Sequence, residues 1–477
     1  MARRTKIVAT LGPATDQPGV LKRLLAAGVD VVRLNFSHGK QEDHARRALA
    51  VREAAAELGV DVGVLADLQG PKIRIESFAA GPVELVEGQP FALDTALGSE
   101  AGDITVVGCA YAELPRDVAP GDTLLLNDGA ISLRVDAVGS TRIDTTVLLG
   151  GVLSNRKGIN KQGGGLSAEA LTDKDRSDLR YAVSIGVDFI AVSFPRSAQD
   201  MLQARELVKE AGGDCALVAK IERAEALPEL VELVAASDVV MVARGDLGVE
   251  IGDAELPGWQ KRIIREAREQ NRMVITATQM MESMITSPVP TRAEVLDVAN
   301  AVMDGTDAVM LSAETASGKY PVKVVEAMSR VCIGAESAMP DRPNRFRRAF
   351  DAHFERTDEA IAMATAWTAR NMRADAILSL TESGSTALMM SRSEMNIPIF
   401  ALTRHEKTRR RMALCRGVFP VDFAPSMLDT LKPLQEAVAH MEKRGSVTQG
   451  QRVIMTKGDF TGPGGTNAMK IVTVGEF

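Results

Sequence analysis

Short runs of β-branched and other apolar residues alternate, through the first 340 residues, with longer stretches whose apolar positions recur at helical spacing. The stretches between the runs, such as residues 41–58, predict crossover helices. We predict eight strands, at residues 5–11, 29–36, 60–68, 187–194, 216–221, 237–243, 272–278 and 308–313. Eight β/α units favour a closed (β/α)8 barrel, a TIM barrel, over an open sheet, which usually has fewer strands.

The interval between the third and fourth predicted strands differs in composition from the rest of this region. It is rich in Gly, Pro and Asp turns, such as 120–122 and 127–129, which separate short β-type runs at 123–126 and 131–138. The helical pattern resumes only at about residues 172–185. Turns at such short spacing predict a small β-barrel domain, residues 70–157, inserted in the large barrel.

A polar, proline-punctuated segment at residues 340–345 predicts a linker. Beyond it, apolar runs at 376–380, 399–402, 418–423, 452–455 and 471–474 alternate with helical segments, which predicts an open α/β sheet. We therefore expect three domains: residues 1–69 with 158–339, residues 70–157, and residues 346–477. A chain of 477 residues is long enough for that number.

Composition removes several classes of function. The chain is 45% hydrophobic and 25% charged, as soluble globular proteins are, and its net charge of −7 disfavours nucleic acid as a partner. The apolar run near the N-terminus is too short for a signal peptide, and no apolar stretch is long enough for a membrane helix. Four scattered cysteines fit neither a disulfide framework nor a zinc site, so we expect a cytoplasmic protein with no membrane partner.

Barrel enzymes carry their working residues at the carboxyl ends of the strands, and these positions are polar here. Glu222 and Asp246 follow the fifth and sixth runs, and together they could supply two oxygen ligands to Mg²⁺, although either alone is more often a structural carboxylate. Lys220 lies two residues before Glu222, so strand periodicity turns both side chains to one side. A lysine beside a metal ion suits phosphoryl transfer.

Arginines near the same strand ends add donors for phosphate groups. They are Arg33, at the end of the second run, and Arg74, after the third. The alternative is that all these cations form solvated ion pairs. Five charged groups at one barrel mouth fit that alternative poorly.

Five motifs then resemble the pyruvate kinases over essentially the whole chain. They are residues 35–39 (NFSHG), 67–74 (DLQGPKIR), 241–250 (MVARGDLGVE), 276–284 (TATQMMESM) and 310–316 (MLSAETA). The resemblance implies a homotetramer with a barrel domain, an inserted lid domain and a C-terminal regulatory domain. It also implies the final step of glycolysis, in which phosphoenolpyruvate and ADP give pyruvate and ATP with Mg²⁺ or Mn²⁺.

The resemblance assigns roles to residues of this chain. Lys220, Thr278 and Arg33 would be catalytic, and phosphoenolpyruvate would be bound by Arg33, Gly245, Asp246 and Thr278. The metal ligands would be Glu222 and Asp246. The nucleotide would be bound by Asn35, Phe36, Ser37, His38, Arg74 and Lys157.

A monovalent cation would lie, by the same resemblance, among Asn35, Ser37, Asp67 and the carbonyl of Leu68. In the K⁺-dependent members a Thr follows the Asp and a Glu follows the Gly-Pro, whereas this chain has Leu68 and Lys72. The Lys72 ammonium could supply the charge of the ion, so we expect K⁺ not to be required. The alternative is that Lys72 points into solvent.

A second phosphate-binding segment follows the predicted strand at 376–380. Its candidate effector residues are Thr381, Ser383, Gly384, Ser385 and Thr386, at the start of a predicted helix. The segment resembles the effector loop of the bacterial pyruvate kinases activated by AMP or sugar monophosphates, which implies a phosphorylated allosteric effector. The alternative is simple N-capping by Ser or Thr.

Two other functions remain open from the residues. One is a barrel lyase or mutase acting on phosphoenolpyruvate or pyruvate, although such enzymes lack a nucleotide-binding lid between strands three and four. The other is a catalytically dead metabolite sensor. Loss of Lys220, Glu222, Asp246 or Thr278 would indicate a sensor, and all four are present.

Overall fold

The computed structural model describes residues 3–339, 353–393, 395–425, 432–458 and 464–476. The linker predicted at residues 340–345, and the predicted start of the C-terminal domain at 346, therefore lie outside the described residues. The chain begins with strands β1 (Lys6–Thr10), β2 (Val31–Asn35) and β3 (Gly63–Asp67) and helices α1 (Val20–Ala26) and α2 (Gln41–Leu58). Every residue of β1 and β3 is buried, as expected for parallel strands that are covered on both faces.

The segment that follows β3 is β-rich, as predicted. Its elements are β4 (Val83–Leu85), β5 (Pro90–Asp94), β6 (Val106–Gly108), α3 (Leu114–Asp117), β7 (Thr123–Leu126), β8 (Ile131–Val138), β9 (Arg142–Leu149), β10 (Gly151–Leu153) and β11 (Ile159–Lys161). Six of the strands form a sheet in the order β11-β7-β8-β9-β5-β6, and β10 pairs with β4. One apolar core, which includes Phe91, Leu124 and Leu133, joins them.

The predicted turn between β7 and β8 is present. Asn127, Asp128 and Gly129 all have positive φ there, a conformation that these three residue types tolerate better than others.

The chain then returns to the barrel. The elements are α4 (Asp173–Ser184), β12 (Phe189–Val192), α5 (Ala198–Glu210), β13 (Ala216–Ile221), α6 (Leu230–Ala235), β14 (Val239–Ala243), α7 (Arg244–Ile251), α8 (Leu256–Glu269), β15 (Met273–Ala277), α9 (Arg292–Asp304), β16 (Ala308–Leu311), α10 (Ala313–Ala316) and α11 (Pro321–Ala338). The barrel is closed, in the order β1-β16-β15-β14-β13-β12-β3-β2. All eight predicted strands are confirmed, and the structure has the predicted (β/α)8 fold.

The C-terminal part forms a five-stranded sheet in the order β19-β18-β17-β20-β21, which confirms the predicted open α/β sheet. Only the last strand is antiparallel to its neighbour. The elements are α12 (Thr357–Met372), β17 (Ala376–Leu380), α13 (Ser385–Ser391), β18 (Ile399–Thr403), α14 (Glu406–Met412), β19 (Val418–Asp422), α15 (Lys432–Lys443), β20 (Arg452–Gly458) and β21 (Thr466–Thr473).

The chain separates into two compact units. One comprises Met1–Ala66, Ile185–Phe189 and Ala267–Phe477, and the other Asp67–Ser184 and Ile190–Glu266. Within the first, fully buried Asp307 at the start of β16 accepts hydrogen bonds from the Arg392 guanidinium and from Arg416 N. Burial alone would raise the pKa of Asp307, but the charges of Arg392 and Arg268 and the hydrogen bonds from Arg392 and Arg416 N together outweigh it, and the pKa is lowered. No helix in the described part of the chain is long and apolar enough to cross a bilayer.

Candidate active site

Lys220, the second-last residue of β13, stands between carboxylates. Its Nζ lies 3.2 Å from Asp67 Oδ1 and 2.8 Å from Glu222 Oε1. It also donates a hydrogen bond to Ser193 Oγ at 2.7 Å. Asp67 ends β3 and Ser193 follows β12, so the carboxyl ends of three neighbouring barrel strands meet here. The prediction that Lys220 and Glu222 face the same side is confirmed.

The surroundings of the Glu222 carboxyl group disfavour its ionised form. It is 2% exposed, and burial raises its pKa. Lys220 opposes that rise, whereas the negative charges of Asp246 and Asp67 add to it. Glu222 also accepts a hydrogen bond from Phe194 N at 2.9 Å. A further positive charge beside Glu222 would therefore stabilise its ionised form.

Asp246 occupies the first turn of α7, the helix that begins directly after β14. Its Oδ1 lies 3.1 Å from Lys72 Nζ. The Lys72 stem lies beside the backbone of Gly158, where an added Cβ would come within 3.4 Å of Lys72 Cε. Lys72 is therefore directed at a carboxylate, and the alternative of a solvent-directed side chain is wrong.

Five charged side chains thus converge in this unit: Lys72, Lys220, Asp67, Glu222 and Asp246. Two ammonium groups face three carboxylates, and two of these carboxylates are almost fully buried. No group of three or more His, Cys, Asp or Glu side chains that could hold a metal occurs among the described residues. Mg²⁺ typically takes one or two carboxylates and leaves its other positions to water and substrate, so Glu222 and Asp246 alone could supply its protein ligands.

Gly245, like Asp246, lies in the first turn of α7. The N-terminus of a helix carries partial positive charge and favours anions. These two positions could therefore hold a carboxylate group of a substrate.

The segments that lead into and out of the inserted sheet pair with each other. Ile75 N donates to Lys157 O at 2.9 Å, and Arg74 forms a bridge with Gly158. The Arg74 guanidinium donates to Arg156 O at 3.0 Å. Arg74 and Lys157, two predicted nucleotide ligands, are therefore neighbours at the base of this sheet.

The other predicted nucleotide residues lie in the first unit. Asn35 ends β2, and its Oδ1 accepts a hydrogen bond from Ser37 N at 3.1 Å, while His38 is exposed. Phe36 is 3% exposed, and its ring stacks on His44 with centroids 4.2 Å apart. Its ring is therefore part of the core, and only its backbone could reach a nucleotide. Arg33, half-buried near the end of β2, donates to Thr10 Oγ1 at 3.1 Å.

Thr278 and Gln279, directly after β15, both have positive φ, +68° and +54°. For a β-branched residue this is a strained conformation, of the kind that clusters at functional sites and costs about 1 to 3 kcal/mol. The Thr278 hydroxyl donates to Ala277 O at 2.6 Å. Nearby, Glu314 accepts hydrogen bonds from Met281 N at 3.2 Å and Ser312 N at 2.6 Å, which fixes the segment that follows Thr278.

The predicted effector segment joins β17 to α13. Gly384, with φ +85°, donates to Thr381 Oγ1, and Ser385 N donates to Ser383 Oγ at 3.4 Å. Thr386 is 2% exposed, and its hydroxyl bonds to Thr466 at 2.7 Å, so that hydroxyl faces β21. The residue at the N-cap of α13 is Gly384, so the helix is not capped by a Ser or Thr side chain.

The side chains of Arg404 and His405 adjoin this segment. His405 bonds to the Glu382 carboxylate, and Arg404 lies 3.6 Å from it. Both residues are exposed and could contribute to an anion site.

Sequence reasoning missed Ser193. Its hydroxyl donates to Leu68 O at 2.8 Å and accepts from Lys220, so it links the predicted monovalent-cation region to the lysine. Ser193 lies at the carboxyl end of the fourth predicted strand. The rule that singled out the other strand ends would have found it, had it been applied there.

Two family profiles match the chain. Residues 2–325 match "Pyruvate kinase, barrel domain", and residues 359–472 match "Pyruvate kinase, alpha/beta domain". The chain is 55% identical over 477 residues to pyruvate kinase II of Salmonella typhimurium, with 99% of both chains covered. It is 51% identical over 460 residues to the pyruvate kinase of Haemophilus influenzae, with 96% of both covered. The crystal structure of a pyruvate kinase from Cryptosporidium parvum matches it with a TM-score of 0.91 and 35% identity, over 99% of this chain and 96% of that one.

Proposed function

Because the chain belongs to the pyruvate kinase family, whose members transfer the phosphoryl group of phosphoenolpyruvate to ADP in glycolysis, we propose that the strand-end side chains described above perform this transfer. The observation that carries the proposal is the Lys220 ammonium held between the buried carboxylates Asp67 and Glu222. Membership of the pyruvate kinase family argues against a lyase or a mutase. It also favours an active pyruvate kinase over a catalytically dead metabolite sensor.

Lys220 stabilises the transferring phosphoryl group. Its contacts hold the side chain in one orientation, so its charge needs little reorganisation when the negative charge moves. Arg33 binds the substrate phosphate, for which a guanidinium is a bidentate donor.

The carboxylate end of phosphoenolpyruvate binds at the first turn of α7, through Gly245 and Asp246, and at the Thr278 hydroxyl. The partial positive charge at the N-terminus of α7 favours the carboxylate. Thr278 also serves proton delivery to the enolate, and its strained backbone supports a role in the reaction.

Glu222 and Asp246 hold the divalent ion, Mg²⁺ or Mn²⁺. Burial raises the pKa of Glu222, and the negative charge of Asp246 adds to the rise; a divalent cation between the two carboxylates would favour their ionised forms, which supports this assignment. When bound, the ion supplies positive charge and Lewis acidity for the phosphoryl transfer.

ADP binds to the segment from Asn35 to His38 and to Arg74 and Lys157. The pairing of the Arg74 and Lys157 segments supports a shared role at the base of the inserted domain. This domain acts as a lid that excludes water from the phosphoryl group.

Lys72 replaces the monovalent cation. Its ammonium lies at 3.1 Å from Asp246, so a tethered charge already stands beside one proposed metal ligand. We therefore infer that the residues Asn35, Ser37, Asp67 and Leu68 need no K⁺.

The segment from Thr381 to Thr386 binds a phosphorylated effector of the AMP or sugar-monophosphate type. The exposed Arg404 guanidinium and His405 imidazole beside Glu382 support an anion site there. Because the Thr386 hydroxyl is bonded to Thr466, the effector contacts come from Thr381, Ser383, Gly384 and Ser385.

We also propose a cytoplasmic homotetramer. The four cysteines all lie within the described residues, are buried and form no disulfide, which supports a reducing compartment.

Titration with Mg²⁺ tests the ligand assignment. Glu222→Ala and Asp246→Ala should each raise the metal concentration needed for half-maximal pyruvate formation, since each removes a ligand oxygen. Glu232→Ala, at an exposed position on α6, is the matched control and should titrate as the wild type does. If both ligand variants need the same Mg²⁺ concentration as the wild type, the assignment of Glu222 and Asp246 as metal ligands is wrong.

A further inference from the structure

Glu250 is a buried carboxylate on α7 that the reaction described above does not use. It lies four residues after Asp246, so both side chains occur on the same face of the helix. It is 4% exposed. Its Oε2 accepts a hydrogen bond from Ala224 N at 2.8 Å, and its Oε1 accepts from Asn160 Nδ2 at 3.3 Å.

These two partners belong to different parts of the unit. Ala224 lies two residues after the proposed metal ligand Glu222, whereas Asn160 belongs to β11, the strand by which the inserted segment returns to the barrel. The backbone of Glu250 adds a third link, because its carbonyl accepts from Gly163 N at 2.9 Å. One residue therefore touches the return segment and the loop after Glu222, and shares a helix with Asp246.

Further contacts near Glu250 join the return segment, here residues 159–168, to residues 223–225. The Arg223 guanidinium donates to Leu166 O at 3.3 Å and to Ala168 O at 3.4 Å. Glu225 accepts a hydrogen bond from Gly165 N. The Glu225 carboxylate lies directly against position 164, because a Cβ added at Gly164 would lie 2.6 Å from Glu225 Oε2. The return segment and residues 223–225 thus pack as one assembly.

Keeping a carboxylate at position 250 costs stability. Burial raises the pKa of Glu250 to about 7, and the nearby charge of Glu225 adds to the rise, while the bonds from Ala224 and Asn160 and the charge of Arg223 oppose it. Glu225 Oε2 is itself buried, with no hydrogen-bond donor among the described residues. Two acidic groups in such surroundings are not what packing alone would favour.

We propose that Glu250 is a positioning residue that couples the return strand of the inserted domain to the segments carrying the two metal ligands, Glu222 and Asp246. The inference rests on the proposed metal site and deepens it. A displacement of β11 is transmitted through Asn160 to Glu250, and from there to the loop after Glu222 and to α7. The geometry of the metal site therefore depends on the position of the inserted domain.

The test is direct binding of Mn²⁺ to the full-length protein, measured by electron paramagnetic resonance in the presence of phosphoenolpyruvate. Glu250→Ala should raise the Mn²⁺ dissociation constant about tenfold, the scale on which groups that orient metal ligands act. Asn160→Ala should raise it about threefold, the scale of one lost hydrogen bond. Glu250→Gln should stay within about twofold of the wild type, because a carboxamide can keep both hydrogen bonds if the Asn160 amide turns over.

Leu233→Ala is the control for general destabilisation, since Leu233 is fully buried on α6 of the same unit. It should lower the unfolding temperature and leave Mn²⁺ binding unchanged. An equal loss of binding in Leu233→Ala and Glu250→Ala would overturn the proposal, as would an unchanged constant in Glu250→Ala. Should Glu250→Ala fail to fold, Asn160→Ala decides alone, and wild-type binding in it overturns the coupling to the inserted domain.

Two further variants separate this inference from the metal site itself. If Glu222→Ala and Asp246→Ala bind Mn²⁺ as the wild type does, the ligand assignment fails and the coupling fails with it. If they lose binding and neither Glu250→Ala nor Asn160→Ala does, only the coupling is wrong.

Discussion

Replacing Lys220 by Met should remove the activity and also weaken the fold, each by a predictable amount. The ammonium is needed chiefly when the phosphoryl group is in transit, so kcat should fall about 1,000-fold or more, the scale on which single cations act in phosphoryl transfer. That factor corresponds to about 4 kcal/mol of transition-state stabilisation. Met keeps a similar side-chain length without the charge.

The stability loss follows from burial. The Lys220 side chain is 11% exposed and those of its partners Asp67 and Glu222 are 1% and 3% exposed, so the variant leaves two buried carboxylates without this cation. Removing one partner of a buried ion pair typically costs about 3 to 5 kcal/mol. Urea unfolding of the metal-free protein should reveal a loss of that size.

Lys209→Met is the matched control. Lys209 pairs with Glu206 on the exposed face of α5, where both side chains are more than half exposed, and such a pair contributes about 0.5 kcal/mol or less. The control should keep wild-type activity and nearly wild-type stability. The reasoning is refuted if folded Lys220→Met retains more than a tenth of the wild-type kcat, or if it loses no more stability than Lys209→Met.

Three further predictions concern other positions. K⁺ should stimulate the wild type less than tenfold over tetramethylammonium at equal ionic strength, whereas Lys72→Glu should create a K⁺ requirement; tenfold stimulation of the wild type would contradict this. Ser383→Glu should abolish activation by a sugar monophosphate or AMP through charge repulsion, and unaltered activation would move the site elsewhere. Glu250→Gln should gain stability relative to the wild type as pH rises from 5 to 8, by up to about 3 kcal/mol in the free energy of unfolding measured with urea. The reason is that the pKa of Glu250 is about 7 in the folded protein and 4.5 in the unfolded chain. Ionisation of the buried carboxyl group therefore destabilises the wild type across that pH range. A difference independent of pH would refute the account of Glu250.

The barrel could be predicted because its strands are apolar on both faces and regularly separated by helical stretches. The predicted first and last residues of the strands are less accurate than their existence. The third run was predicted to start at Val60, but β3 begins at Gly63 and Val60 is 46% exposed. The final strand starts at Thr466, five residues before its apolar run, since it pairs antiparallel at the sheet edge and several of its residues are only half-buried. Apolarity reports burial, whereas strand ends depend on hydrogen bonds.

Those parts of the candidate site could be predicted in which the spacing of residues along one strand sets the direction of the side chains. The facing of Lys220 and Glu222 follows from their spacing of two residues. Glu250 was not predictable, because its partners Ala224 and Asn160 are 26 and 90 residues away in sequence and only the fold brings them together. The positive φ of Thr278 was also out of reach, since β-branched residues normally avoid that conformation.

The most direct test of the central claim is a reaction of the purified protein with phosphoenolpyruvate, ADP and Mg²⁺ in which pyruvate and ATP are quantified separately. The account predicts equal amounts of the two products, with neither formed when ADP is omitted, and loss of both in Lys220→Met. Pyruvate released without ADP, or pyruvate and ATP in unequal amounts, would contradict it.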